Sequence, residues 1–439
     1  MPKQLLRESF NELLNTIKPD VLLLNQCKLD GSVLTIHETS YNLDQFKNIY
    51  VVGSGKAVLP MAEAMQKLLH TYHPKSLLVG AYCSCRETAL ENTTYIQSTH
   101  PLPSQKSIEA ATKLKEFMNM MDEDDLYIYL LSGGSSALIE LPVEGITLED
   151  IEKTTHVMLR GGMPIDAMNS VRKKLSQIKG GKLAFQSKAK GVVFVLSDVL
   201  GNDLGTIGSG PLYITESEKL DPVELLHSYN LFEKIPLQVQ KFLLQNSKNN
   251  PAKTLPIPRV EHFIVGSNEI VLQHAKRILQ DKNIITKMID FQIQGNVEDA
   301  AKKLYEVAAT NNTQRICYIA GGEATVVVHG NGKGGRNQHL ALCFLNLLKG
   351  DEDITFLSAA TDGIDGNSTA AGAIIDWYTH VEAVTNGLDI KHYLENFDSN
   401  TFFSHVDDAL LISGPTHNNL LDIVIILTEP QITKGVTYG

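Results

Sequence analysis

The sequence predicts an α/β protein in which parallel sheets are covered by helices and divided between two domains. Three observations lead there. Short β-rich runs recur over nearly the whole length, each passing into a glycine or serine loop and then a helical pattern: "IYVVGSGK", "LYIYLLSGGSS", "VVFVLSDVLG", "HFIVGSNE", "CYIAGGEA" and "ITFLSAATDG". At 439 residues the chain exceeds the size at which a single hydrophobic core stops growing. The stretch 246–262, "NSKNNPAKTLPIPRVEH", carries three prolines among clustered Asn and Lys, the composition of a linker. Domains over 1–245 and 263–439 follow, with a cleft between them as the expected site.

Composition narrows the function. A hydrophobic fraction of 43% and a charged fraction of 20% are ordinary for an enzyme, and no apolar run approaches the ~20 residues needed to cross a bilayer. A membrane role is therefore not expected. The net charge of −11 opposes binding to polyanions, so nucleic acid is not an expected partner, and cations placed inside glycine loops become informative. Cys27, Cys83, Cys85, Cys317 and Cys343 form no C-x-x-C pair, which points to reduced thiols. The N-terminal "MPKQLLRESFNELLNTIKPD" mixes acids with apolar residues and reads as an amphipathic helix, not a signal peptide; a cytoplasmic location is expected.

Taken in order, the loops supply the candidate residues. "VVGSGKAVLPMAEAMQKLL" turns at Gly53, Ser54 and Gly55 and puts Lys56 in the first helical turn, where backbone N–H groups and an ammonium attract phosphate or carboxylate. A purely structural strand–glycine–helix junction is an equal alternative there. In "LLSGGSSALIELP", Gly133 and Gly134 permit close approach of a ligand while Ser135 and Ser136 offer hydroxyls to phosphate oxygens. The most basic stretch, residues 160–184, holds Asn169, Arg172 and Lys179 as candidates for gripping an acid substrate, the rest of its charge forming a solvated face. Asp198 stands at a strand end in "VFVLSDVLGNDLGTIGSGP", placed to hold Mg²⁺, to accept a hydroxyl proton or to cap a helix. Asp362 and Asp365 repeat the theme in "SAATDGIDGNSTAAGAIID", which lacks the terminal glutamate of a calcium loop.

The loop "HGNGKGGRNQH", 329–339, is the most ambiguous. Gly330, Gly332 and Gly335 satisfy the G-x-G-x-x-G pattern of dinucleotide sites, yet Lys333 and Arg336 are cations such a turn does not need. The ribose-binding acid that the pattern requires is misplaced: Asp351 and Asp353 precede the next strand, and Asp362 follows it within another glycine loop. Nor is this a Walker A loop, since Arg-Asn follows Gly335. The residues alone describe an α/β enzyme acting on a small phosphorylated or phosphorylatable anion.

The ordered set "GSGKAVLPMAEA", "THPLPSQKSIEAA", "LLSGGSSALIELP", "MNSVRKKLSQIKGGKLA", "SDVLGNDLGTIGSGP", "GGEATVVVHGNGKGGRNQHLAL", "TDGIDGNSTAAGAIID" and "GPTHNNLLD" resembles the glycerate 2-kinase family, whose C-terminal part is the MOFRL domain. The resemblance spans about residues 50–425. It implies a larger Rossmann-like N-terminal domain with a parallel sheet, a smaller α/β MOFRL domain, and an active site in the cleft. The implied reaction phosphorylates the 2-hydroxyl of D-glycerate with ATP and a divalent cation, Mg²⁺, giving 2-phosphoglycerate. Lys56 and Arg336 match the family's proposed catalytic cations. The remaining expected roles are substrate binding by Ser54, Gly55, Asn169 and Arg172, nucleotide binding by Gly133, Gly134, Ser135, Ser136, Lys333 and Gly335, and metal binding by Asp198 and Asp362. His339 stands where the family carries a glutamate, and His417 and Asn202 also depart from its usual runs. A kinase of a related hydroxy acid, an NAD(P)H-dependent hydroxypyruvate reductase and a non-catalytic binding protein are the alternatives, and a homodimer stays open as the assembly state.

Overall fold

The computed structural model describes residues 2–81, 90–214, 221–246, 258–310, 314–350 and 353–430. Cys83, Cys85, Asp351 and residues 247–257 of the expected linker lie outside the described residues. Cys27, Cys317 and Cys343 are free and buried. No described helix is long and apolar enough to cross a membrane. The chain forms two compact units, Pro19–Val265 and a second made of Met1–Lys18 with Gly266–Gly439.

In the Pro19–Val265 unit a six-stranded sheet runs in the order Thr93–Gln97, Lys75–Gly80, Ile49–Ser54, Leu126–Leu131, Lys190–Leu196, Val260–Gly266. Numbered along the chain this is 3-2-1-4-5-6, the Rossmann order. The four pairings from Thr93–Gln97 through Lys190–Leu196 are parallel. Every residue of Ile49–Ser54 and Leu126–Leu131 is buried, as a parallel sheet covered on both faces demands. Helix Val58–Leu68 buries Val58, Met61, Ala62 and Met65, the helical spacing read from the sequence. Helices Leu148–Arg160, Ile165–Lys174, Pro222–Ser228 and Leu237–Asn246 close around Met158, Met168, Val171 and Phe232. The strand order reverses between Ile49–Ser54 and Leu126–Leu131, and it is beyond the carboxyl ends of such a pair that α/β sheets leave a crevice.

The other unit departs from the expected parallel sheet. Its strands lie in the order Ile285–Met288, Ile316–Thr325, Asp422–Thr428, Ile354–Ala360, Gly372–Ile375, Leu410–Leu411, with Ile293–Asn296 also on Ile316–Thr325. Only the pairings of Ile285–Met288 and Ile293–Asn296 with Ile316–Thr325 are parallel; the rest are antiparallel. The cause is the last strand, Asp422–Thr428, which inserts between two earlier ones and runs against both. Its seven residues are all buried, so it reads as a central strand of either direction.

The N-terminal helix, Pro2–Thr16, falls in this second unit and not in a first domain starting at residue 1. It buries Leu6, Phe10 and Leu13. Arg7 donates to the carbonyls of Asp408 and Leu410, Glu12 pairs with Lys282, and Asn418 Nδ2 donates to Ile17 O at 2.6 Å. Phe10→Ala, which removes a fully buried ring from this helix, is expected to cost the second unit about 3–5 kcal/mol, read as a lower denaturant midpoint.

Candidate active site

Four chain segments meet at the carboxyl ends of the Rossmann-type sheet: Ser54–Lys56, Ser98–His100, Ser132–Ser136 and Ser197–Asp198. The first and third are locked together. Ser54 Oγ lies 2.6 Å from Tyr129 Oη and 2.5 Å from Ser135 Oγ, and all three residues are fully buried. Ser54 and Ser135 therefore hold two strand ends together instead of facing a ligand, which corrects their expected binding roles. Gly55, at φ 142°, would place a Cβ 2.0 Å from Ser132 Oγ, so it is glycine for close packing. The N–H groups of this turn are engaged as well: Gly55 N donates to Val79 O, Lys56 N to Gly133 O and Ala57 N to Ser132 Oγ. The expected anion cradle of backbone amides is thus closed.

What is left open is side-chain chemistry. Lys56 has no ion-pair or side-chain hydrogen-bond partner among the described residues, and its Cγ and Cε would both lie 3.2 Å from a Cβ on Gly134. On Gly133 a Cβ would come within 2.3 Å of Asp198 Oδ2, so the missing side chain admits that carboxylate to the loop. Arg172, on helix Ile165–Lys174, donates through Nη2 to Ser136 Oγ at 3.0 Å and through Nη1 to Asn169 Oδ1 at 3.4 Å. Its Nε is buried with no partner among the described residues. Asn169 thereby supports Arg172, and Ser136 is shared with Ser209 Oγ at 2.9 Å.

Lys179 corrects a further expectation. It is 1% exposed and ion-paired to Glu140, equally buried, so it cannot touch a substrate. Burial lowers Lys179 to about 8 against the raising charge of Glu140, with Arg172 adding to the decrease. Arg172 is itself lowered by burial and raised by Glu140. A buried ammonium and a partly buried guanidinium accordingly share one carboxylate.

In the other unit, the loop 329–335 joins strand Ile316–Thr325 to helix Arg336–Leu345. Its amides are taken by the chain itself: Lys333 N donates to Asp398 Oδ1 at 2.8 Å and Gly334 N to Asn367 Oδ1 at 2.7 Å. The buried Asp365 carboxylate occupies the helix N-terminus, accepting from Asn337 N at 3.0 Å and Gln338 N at 2.8 Å. A Cβ on Gly335 would lie 2.3 Å from Asp365 Oδ1, and one on Gly330 or Gly332 would lie 2.5 Å from Asn396 O. The G-x-G-x-x-G pattern is thus a packing requirement, and the binding expected of Gly335 is corrected to contact with the Asp365 turn. Lys333 keeps its side chain as the loop's contribution.

Arg336 is held by two acids. Nε and Nη2 donate to Asp422 Oδ2 and Oδ1 at 2.5 and 3.0 Å, and Nη1 lies 2.7 Å from Glu323 Oε1. Burial opposes its charge, but Asp422 and Glu323 outweigh this and raise Arg336 above its ordinary value. His339, next on the helix, stacks on Phe397 at 4.8 Å, and burial lowers it to about 4. Asp362 Oδ1 accepts from Ile364 N at 3.1 Å. Among the described residues no three His, Cys, Asp or Glu side chains gather as a metal cage, so Asp198 and Asp362 each offer a single carboxylate.

Two family models match the chain, a domain of unknown function (DUF4147) over residues 5–244 and the MOFRL family over 316–422. The glycerate 2-kinase of Pyrococcus horikoshii is 32% identical over 429 residues, 96% of each chain. The chain belongs to the MOFRL-domain glycerate 2-kinase family. A D-glycerate 2-kinase of Thermotoga maritima is 36% identical over 391 residues, covering 88% of this chain and 91% of that one. The crystal structure of a Thermotoga maritima glycerate kinase superposes with a TM-score of 0.85 at 32% identity over 97% of this chain and 99% of that one.

Among the residues of this family member, sequence reasoning passed over His100, inside the quoted "THPLPSQKSIEAA", and the acids that hold Arg336. No local signal marks Glu323, on the strand that leads into the loop, or Asp422, 86 positions beyond Arg336. Arg336→Ala leaves Asp422 buried without its counter-charge, which is expected to cost about 3–5 kcal/mol in denaturant unfolding. An unchanged midpoint would assign Arg336 no structural part.

Proposed function

We propose that this chain phosphorylates the 2-hydroxyl of D-glycerate with ATP and Mg²⁺, giving 2-phosphoglycerate and ADP. The reading is carried by cationic side chains with donors to spare at the point where the strand order reverses. Among the described residues Lys56 presents an ammonium group with no partner, and Arg172 presents a partly buried guanidinium whose Nε is unpaired. Together with the buried Lys179 ammonium, it faces the single carboxylate of Glu140. A buried excess of positive charge is costly unless an anion compensates it. The carboxylate of a small hydroxy acid fits the guanidinium fork, and its hydroxyl then lies among groups suited to phosphoryl transfer.

In this reading Arg172 clamps the substrate carboxylate, supported by Asn169 and Ser136, and Lys56 stabilises charge on the transferring phosphoryl group. Magnesium binds through one or two carboxylates together with phosphates and water, a habit that Asp198 beside Gly133 fits and that Asp362 matches in the second unit. Bound there, it would neutralise phosphate charge. Of the five N–H donors of a guanidinium, Arg336 uses three on Asp422 and Glu323, which leaves two for the phosphoryl group in this reading. Lys333, Gly133, Gly134 and Ser136 are the remaining candidates for nucleotide contact. The reductase alternative is weakened because Asp398, Asn367 and Asp365 engage the amides a dinucleotide pyrophosphate would need.

A reaction containing ATP, Mg²⁺ and D-glycerate, followed by phosphorus NMR, is expected to yield 2-phosphoglycerate. Hydroxypyruvate-dependent NAD(P)H oxidation without ATP would overturn the reading. Lys56→Ala should reduce kcat by roughly 10²–10³-fold. Arg172→Ala should chiefly raise KM for glycerate, by about 10–100-fold, the size of a lost charge-assisted hydrogen bond.

A further inference from the structure

Phosphorylating a hydroxyl releases a proton, and neither Lys56 nor Arg172, both cations, can accept it. Two other ionisable groups border the same loop. Asp198 approaches Gly133, while His100, just beyond strand Thr93–Gln97, approaches Gly134. A Cβ on Gly134 would lie 3.0 Å from His100 Cδ2 and 3.2 Å from Lys56 Cε, so the imidazole and the ammonium flank one glycine. The His100 ring makes no hydrogen bond among the described residues and is only partly buried, which leaves its nitrogens for a ligand. Burial, with a further contribution from Lys56, lowers the ring to about 4; at neutral pH it carries a lone pair and no charge. A phosphate paired with Lys56 would cancel that contribution and raise the ring's basicity once nucleotide is bound. Asp198 is the group with metal-binding chemistry, and a carboxylate so engaged is a poor proton acceptor.

We propose that His100 is the general base of the reaction, accepting the proton of the attacking hydroxyl; the proposal rests on the glycerate kinase reading. As the substrate oxygen bonds to the γ-phosphorus, its proton passes to a ring nitrogen of His100. The bond from that phosphorus to the bridging oxygen of ATP breaks, and ADP leaves with the electron pair. The imidazolium then returns its proton to water.

His100→Ala and His100→Gln, compared with the wild type, test the assignment. Turnover with D-glycerate is expected to fall roughly 10²–10⁴-fold in both, while KM for glycerate, calorimetric ATP affinity and unfolding midpoint stay near wild type. Added imidazole should restore part of the turnover in the alanine variant, where the ring's space is empty, and not in the glutamine variant, where it is filled. Retained turnover in either variant overturns the proposal. So does a loss of turnover accompanied by lost ATP binding and no rescue, the signature of a structural histidine. If the alanine variant does not fold, the glutamine variant decides by kcat against ATP affinity. Wild-type protein that transfers no phosphoryl group to D-glycerate would remove the kinase reading and this proposal together, whereas an active wild type with an active His100→Ala removes only the latter.

Discussion

Every donor or acceptor taken out of water must find a partner inside the protein, and both loop clusters are built around that constraint. In one unit Ser54, Tyr129 and Ser135 satisfy one another, and the amides of Gly55–Ala57 are bonded to Val79 and to the loop at Ser132 and Gly133. In the other, Asp365 satisfies two amides at the start of a helix and Asp422 satisfies Arg336. So much internal pairing makes the exceptions conspicuous. Among the described residues Lys56, the Arg172 Nε and the ring of His100 stand without hydrogen-bond partners at one end of one sheet, while in the other unit the buried His339 Nδ1 and Ser399 Oγ do too. A surface list of glycines and cations would not have separated them.

The same constraint alters the meaning of the glycines. Gly55, Gly133, Gly330, Gly332 and Gly335 each leave room for something, but in every instance the occupant belongs to the protein. For Gly133 the occupant is a carboxylate, which carries chemistry; for Gly335 it is a turn, which does not. Sequence alone announces that a side chain is missing and is silent on what fills the space. That silence is why a dinucleotide pattern arose by packing.

Much of the fold was nonetheless legible. All six β-rich runs are strands, and the helix after Lys56 has the burial its spacing required. These are local signals, carried by period and by glycine. The direction of Asp422–Thr428 and its place between Ile316–Thr325 and Ile354–Ala360 were not legible, because a fully apolar run pairs equally well either way. Lys179 misled for a related reason. A lysine in a basic stretch beside glycines reads as a grip for an acid substrate, and only Glu140, 39 positions earlier, takes it into the core. Arg172 was singled out for a property of the residue itself, a planar fork that matches a carboxylate.

The membership of Pro2–Thr16 in the second unit has a bearing on how the protein is made. This helix leaves the ribosome long before the strands from Ile316 onward that complete its unit, and at ordinary elongation rates the interval is on the order of tens of seconds. Throughout it, Leu6, Phe10 and Leu13 lack their final burial while the intervening unit can already fold. The nascent chain therefore exposes a short apolar stripe that its own sheet cannot yet cover, with Lys3, Arg7, Glu8 and Glu12 interspersed along the helix to keep it solvated.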